Sequence, residues 1–120
     1  MSKKILIVDD SSTVRQQLNF TLTKDGFTVV EAEDGVDGLS KSAANPDIAV
    51  IISDVNMPNM NGLDFLKNIK DKGVAAPVIM LTTEGSADLI AKAKSYGAKG
   101  WMVKPFNPEQ LIAAVKKLAA

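Results

Sequence analysis

Five short apolar stretches recur along the chain, and each has the length of a β-strand. The first, third and fourth are nearly continuous apolar runs rather than alternating ones, which is typical of strands that are covered on both faces. The predicted strands are residues 5–8, 27–30, 48–52, 78–81 and 100–103.

Between these stretches, apolar residues recur at helical spacing. Val14, Leu18 and Leu22 lie four residues apart, after a serine pair that can cap a helix and before Gly26, which can end it. Residues 87–96 are rich in alanine and predict the fourth helix. The second, third and fifth helices are marked by Val36, Leu39 and Ala43, by Leu63, Leu66 and Ile69, and by Leu111, Ile112, Val115 and Leu118, the last group following Asn107-Pro108-Glu109.

A strand followed by a helix, repeated five times, predicts an α/β fold with a doubly wound parallel sheet of five strands. Ligands of such open sheets bind at the carboxyl ends of the strands. Polar residues lie at four of these ends, and because the ends share one edge of the sheet we expect a common site there. These polar residues are Asp9, Asp10, Ser53, Asp54, Thr82, Thr83 and Lys104, and Pro105 follows the last of them.

The composition excludes several kinds of site and partner. The chain has 120 residues, the size of one domain, and its 14 basic residues balance 14 acidic ones, so we expect neither a nucleic-acid nor a membrane partner. Cysteine and histidine are absent from the sequence, which excludes disulfides, histidine catalysis and zinc sites built from these residues. The first apolar run is too short for a signal peptide or a membrane span, so we predict a cytoplasmic protein.

Three acids and one lysine form the candidate site. Two carboxylates about 5 Å apart repel by about 3 kcal/mol at an effective dielectric constant near 20. Lys104 neutralises one charge of Asp9, Asp10 and Asp54, and a divalent cation would cancel the remaining two. Oxygen ligands favour Mg²⁺, and Mn²⁺ also fits. The alternative is that these acids only cap helices.

Four motifs carry a resemblance that covers the whole chain. "LIVDDSS", "IISDVNMPNMNG", "MLTTEG" and "GWMVKPF", in this order and spacing, resemble the receiver domain of bacterial two-component response regulators. The resemblance implies one receiver domain over residues 1–120 without an output domain. It also implies the flavodoxin-like (βα)5 fold with strand order 2-1-3-4-5.

The resemblance also implies roles for the site residues. Asp54 would accept a phosphoryl group from a histidine kinase, and Thr82 and Lys104 would bind the phosphoryl oxygens. The protein would then be no enzyme beyond Mg²⁺-dependent self-phosphorylation and autodephosphorylation at Asp54. The Mg²⁺ ligands that the resemblance implies are Asp10, Asp54 and the backbone carbonyl of Asn56, with Asp9 acting through water.

Further roles concern the switch and its lifetime. Thr82 would move toward the phosphoryl group, and Trp101 would turn inward where the family usually has Tyr or Phe; plain strand packing is the alternative for Trp101. Asn56 and Glu84 would tune dephosphorylation, unless both are inert surface residues. Pro105 resembles a cis proline of the family.

The carboxyl-terminal third is locally basic, since residues 86–120 contain six lysines and only two acids. In the family, helix 4, strand 5 and helix 5 form the face that binds targets. This face would bind the flagellar motor switch in chemotaxis. A phosphatase is a further expected partner. We expect the protein to be a monomer. A solvated face without a partner is the alternative reading of Lys92, Lys94, Lys99, Lys116 and Lys117.

Other functions remain open. A stand-alone receiver can also act in a phosphorelay or regulate a kinase. A Mg²⁺-dependent aspartyl-phosphate phosphatase also uses an aspartate, but its motif has a second acid where this chain has Asn56. A flavin-binding domain of the same fold lacks support, because no Ser/Thr-rich phosphate loop follows the first strand.

Overall fold

A computed structural model describes residues 3–83 and 85–119 of the chain. Five strands and five helices alternate along it, as the apolar pattern predicts. The strands are β1 Lys4–Val8, β2 Thr28–Ala32, β3 Ile48–Ser53, β4 Val78–Thr82 and β5 Gly100–Val103. The helices are α1 Ser12–Lys24, α2 Gly35–Ala44, α3 Gly62–Asp71, α4 Ala87–Ser95 and α5 Pro108–Ala119.

The strands form one parallel sheet in the order β2-β1-β3-β4-β5. This confirms the flavodoxin-like topology. The order reverses beside β1, since the chain first crosses to β2 and then returns past β1 to β3. Such a reversal opens a crevice at the carboxyl ends of β1 and β3, and the residues that follow these two strands are Asp9 and Asp54.

Helices cover both faces of the sheet. Ile5 and Ile7 of β1 pack with buried residues of α1 and α5, whereas Leu6 and Val8 pack with buried residues of α3 and α4. Because successive strand residues point to opposite faces, the continuous apolar run of β1 is buried throughout. The sheet is therefore a middle layer between two sets of helices.

The predicted bounds of β2 differ from the observed ones. The pattern predicts residues 27–30, but the strand runs from Thr28 to Ala32. Glu31 pairs with Ile7 in register, and its carboxylate forms an ion pair with Arg15 of α1 at 3.2 Å. A charged residue therefore belongs to the strand because α1 supplies its partner.

Helix starts are capped by side chains. Ser11, Asp34, Asn61 and Ser86 each accept a hydrogen bond from a backbone N–H in the first turn of the helix that follows. Such caps satisfy donors that the helix itself leaves free. Within the described residues, no helix is long and apolar enough to cross a bilayer.

Candidate functional site

Three carboxylates converge where β1 and β3 end. The strands are neighbours, and the backbone N–H of Asp54 donates to the carbonyl of Val8 at 2.9 Å, which continues their ladder past the strand ends. One carboxylate oxygen each from Asp9, Asp10 and Asp54 lies within 4.8 Å of the others. The predicted convergence of these acids is therefore observed.

Lys104, the residue directly after β5, completes the cluster. Its Nζ lies 2.7 Å from Oδ2 of Asp9 and 3.1 Å from Oδ2 of Asp54. Its backbone N–H donates to the carbonyl of Thr82 at 2.8 Å, so the β4–β5 ladder holds its main chain. Asp9 and Asp54 are 1% and 7% exposed, whereas Asp10 is exposed. The lysine thus pairs with the two buried acids.

The cluster contains more carboxylates than cationic groups, and this affects the pKa values of its members. Burial raises the pKa of Asp9 above its ordinary value of 3.8, and the hydrogen bonds from Lys104 and Ser11 only partly oppose this rise. Burial also acts to lower the pKa of Lys104, but the hydrogen bond from its ammonium to Asp9, with the charges of Asp9 and Asp54, outweighs burial and raises it. The two rises in pKa have different causes, because burial disfavours the charged form of Asp9, whereas the nearby carboxylates favour the charged form of Lys104.

The donor atoms fit a small hard cation. The cluster offers carboxylate oxygens only, and neither imidazole nor thiolate occurs in the sequence. Three carboxylates and one ammonium leave two negative charges, which a divalent ion would match. Oxygen donors of this kind suit Mg²⁺ and Mn²⁺ rather than zinc.

The backbone around Asp54 is held tightly. Oδ1 of Asp54 accepts from the N–H of Val55 at 2.7 Å, and its carbonyl accepts from the hydroxyl of Ser53 at 2.9 Å. The N–H of Gly62 donates to the carbonyl of Val55 at 2.7 Å. A Cβ on Gly62 would lie 1.8 Å from the carbonyl oxygen of Asp54, so the start of α3 packs directly on the site's main chain.

A polar network that sequence reasoning missed supports Asp9 from the other side. The Arg15 guanidinium donates from Nη1 to the carbonyl of Asp9 and from Nε to Glu31 at 3.2 Å. Asn19 donates to the second carboxylate oxygen of Glu31 at 2.9 Å. Charge complementarity between Arg15 and Glu31 is visible in the sequence, but their contact depends on how α1 crosses β2.

The other predicted site residues that the structure describes lie on or shortly after β3, β4 and β5. Thr82 is fully buried at the end of β4, and Trp101 is half-buried on β5, where it packs on the α3 and α4 side of the sheet. Asn56 is exposed in the loop after β3. The peptide bond between Lys104 and Pro105 is cis, as the resemblance implies. Glu84 lies outside the described residues.

The predicted basic face is exposed but not uniform. Lys116 pairs with Asp25 at 3.0 Å, whereas the other four lysines of the face form no ion pair with any residue that the structure describes. Lys92 lies 6.0 Å from the centre of the Tyr96 ring. The unneutralised charge is therefore concentrated on α4, on Lys99 before β5 and on Lys117 of α5.

Fold and site together define a doubly wound α/β protein with an acidic pocket and a lysine at the carboxyl ends of its central strands. Residues 5–116 match the sequence model of the response regulator receiver domain. The chain belongs to this family and is a receiver domain of the CheY type. Receiver domains are signalling proteins that bind Mg²⁺ at an acidic pocket, and CheY itself exemplifies this strand order.

Similar proteins support this assignment. Chemotaxis protein CheY1 of Helicobacter pylori strain J99 is 44% identical over 111 residues, which are 90% of either chain. A crystallised chemotaxis protein CheY4 of Vibrio cholerae is 42% identical, with a TM-score of 0.92 over 98% of this chain and 99% of that one. A CheX–CheY–BeF3–Mg²⁺ complex from Borrelia burgdorferi contains a chain with 32% identity and a TM-score of 0.93, over 98% of this chain and 90% of that one.

Proposed function

We propose that the protein is a phosphorylation-switched signalling protein whose Asp54 accepts a phosphoryl group from a histidine kinase. The observation that carries this proposal is the convergence of the carboxylates of Asp9, Asp10 and Asp54 beside the ammonium of Lys104. In the transfer, a carboxylate oxygen of Asp54 bonds to phosphorus. The phosphorus–nitrogen bond of the phosphohistidine breaks, and its electron pair returns to the imidazole.

The divalent cation belongs to the same proposal. Asp10, Asp54 and the backbone carbonyl of Asn56 would hold Mg²⁺ directly, and Asp9 through water. When bound, the ion supplies positive charge against the phosphoryl oxygens. Mn²⁺ would serve in its place, because it prefers similar oxygen ligands.

The chain's own groups would prepare the carboxylate for a dianionic donor. A carboxylate repels such a donor, so positioning and charge neutralisation must lower the barrier. Lys104 already lies 3.1 Å from Oδ2 of Asp54, and its ammonium would turn to the phosphoryl oxygens as they arrive. Buried Thr82 at the next strand end would donate its hydroxyl to one of them. Asn56 and Glu84 would then set how fast water removes the group.

The negative charge of the phosphoryl group would also drive the conformational change that a partner recognises. A phosphoryl group adds roughly one and a half to two negative charges, which would draw Thr82 toward the phosphoryl oxygens and let Trp101 turn inward. A partner would bind the face of α4, β5 and α5, and the complex from Borrelia burgdorferi supports a protein partner for such a receiver. The kinase, the motor switch target, a phosphatase and the cytoplasmic location all belong to this proposal.

Acetyl phosphate tests the central step. Wild-type protein with acetyl phosphate and Mg²⁺ should gain one phosphoryl mass by mass spectrometry, and borohydride reduction should map it to residue 54. Asp54→Asn should gain none, whereas Asp64→Asn, an exposed aspartate on α3, should behave as wild type. EDTA should abolish labelling. Modification elsewhere, or equal labelling of Asp54→Asn, would refute the proposal.

A pull-down with wild type and Asp54→Ala, each with and without acetyl phosphate, would then identify partners. A partner of the switched state should be captured in greater amount only by phosphorylated wild type. Equal capture in all four samples would argue against a switch.

A further inference from the structure

A hydrogen bond joins two loops at the carboxyl edge of the sheet. Asn59 lies in the loop of residues 54–61, which follows β3, and its Nδ2 donates to Oδ2 of Asp34 at 2.8 Å. Asp34 precedes α2 and lies in the connection from β2. The contact therefore joins the loop that begins at Asp54 to the start of α2, the helix that follows β2.

Asp34 is a fixed acceptor for this bond. Its Oδ1 accepts from the N–H of Asp37 at 2.8 Å and thereby caps α2, so its Oδ2 is held facing Asn59. Asp34 is only 7% exposed. The hydrogen bonds from Asp37 and from Asn59 keep the pKa of Asp34 below its ordinary value, so the acceptor is ionised at neutral pH.

The loop is shaped to make this contact. Asn59 has φ of 67°, in the left-handed region that asparagine tolerates better than most residues. The next residue, Met60, packs against Gly35, where an added Cβ would lie 2.8 Å from the Met60 Cβ. Two adjacent loop residues thus rest on the start of α2.

We propose that the Asp34–Asn59 hydrogen bond is a positioning contact for the divalent-cation site, an inference that rests on the function proposed above. The loop begins at Asp54 and is held at its far end by Gly62. Between these ends it carries Asn56, whose carbonyl is a proposed ligand. The bond to Asp34 fixes the middle of the loop, and so fixes where that carbonyl can lie.

Asn59→Asp separates positioning from electrostatics. The substitution puts a second carboxylate against that of Asp34, so the loop must move away. Electrostatics alone predicts tighter Mg²⁺ binding, because the variant adds a negative charge to the loop that carries Asn56. Positioning predicts the reverse, and we expect the Kd for Mg²⁺ measured by isothermal titration calorimetry to rise about tenfold, as loss of one charge-assisted hydrogen bond implies.

Two further variants complete the test. Asp34→Asn combined with Asn59→Asp exchanges donor and acceptor, keeps the net charge, and retains a residue that caps α2 well; it should restore the Kd to within about twofold. Asn61→Asp is the matched control, because it adds the same charge to the same loop while an aspartate caps α3 as well as Asn61 does. It should bind Mg²⁺ at least as tightly as wild type.

The outcomes discriminate between the two proposals. Absence of Mg²⁺ binding by wild type would overturn the proposed function and this inference together. Wild-type binding that Asn59→Asp does not weaken, or that the exchanged pair does not restore, would overturn the inference alone. Should circular dichroism show Asn59→Asp unfolded, Asn59→Gly removes the donor and accepts the same φ; a Kd unchanged from wild type would then refute the positioning role.

Discussion

Gly62→Ala should disrupt both the stability of the fold and the acidic site. Gly62 is the first residue of α3, where helix propensity alone predicts that alanine stabilises by about 0.5–1 kcal/mol. The structure predicts the opposite. The new Cβ would lie 1.8 Å from the carbonyl oxygen of Asp54 and 2.8 Å from the Cα of Val55. These are main-chain atoms, so no side-chain rotation can relieve the overlap.

The magnitude follows from the required shift. Real Cβ atoms are essentially never found closer than 3.0 Å to such a neighbour, so α3 and the main chain of Asp54 must separate by more than 1 Å. Overpacking typically costs about 1–3 kcal/mol, and loss of the bond from Gly62 to the carbonyl of Val55 adds about 1 kcal/mol. We expect a loss of about 3 kcal/mol, or about 12 °C in Tm for a chain of this length.

Urea denaturation followed by circular dichroism measures this loss, and Mg²⁺ titration measures its effect on the site. Displacing Asp54 by about 1 Å should also slow acetyl phosphate labelling by at least about tenfold. Gly85→Ala is the control, since among the residues that the structure describes its Cβ would meet only Val103, at 3.6 Å. A Gly62→Ala protein within about 0.5 kcal/mol of wild type, with normal labelling, would refute this account of the close contact.

Four further predictions concern charge and the switch. Lys104→Met should destabilise the metal-free protein by roughly 2–4 kcal/mol, because it leaves two buried carboxylates without their counter-charge, and Mg²⁺ should recover part of the loss; an equally stable variant in EDTA would contradict this. The fluorescence of Trp101, the only tryptophan, should change when beryllofluoride and Mg²⁺ are added, and identical spectra would reject its switch role. Because the pKa of Asp34 is lowered by folding, its ionised form adds stability above pH 3.8 that is lost as the pH falls through the lower folded-state pKa. Asp34→Asn should therefore be less stable than wild type at pH 7 and should match it in strong acid; a gap that persists there would count against the charge. A double-mutant cycle of Arg15→Ala and Glu31→Ala should give a coupling energy of about 0.5–1 kcal/mol in urea denaturation, and simple additivity would show that their ion pair contributes nothing.

Much of this architecture could be predicted from the sequence. Short continuous apolar runs indicate the strands, and apolar residues at helical spacing indicate the helices. The continuous apolar run before Asp9 identified a strand buried on both faces, and the residues after the predicted strands identified the shared edge. The order of the strands came from the family resemblance rather than from the pattern. The convergence of the acids then followed from the topology.

Other features could not be predicted because they depend on how separate elements approach each other. Asp9 and Asp10 are identical neighbours, yet only Asp9 is buried against Lys104. The contacts of Arg15 with Glu31 and of Asn59 with Asp34 join elements whose relative positions no local pattern specifies. The structure shows that Asp34 caps α2 through one carboxylate oxygen, and its second oxygen acquires a partner only once the loop after β3 is in place.

The order in which the charges of the pocket are synthesised has a consequence for the growing chain. Asp9 and Asp54 precede Lys104 by 95 and 50 residues. At translation rates of about 5–20 residues per second, roughly 3–10 s pass between the synthesis of Asp54 and that of its ammonium partner. A chain that ends before β5 therefore lacks the ammonium that pairs with both Asp9 and Asp54 in the folded protein, so the two carboxylates gain their internal counter-charge only when the last strand joins the sheet.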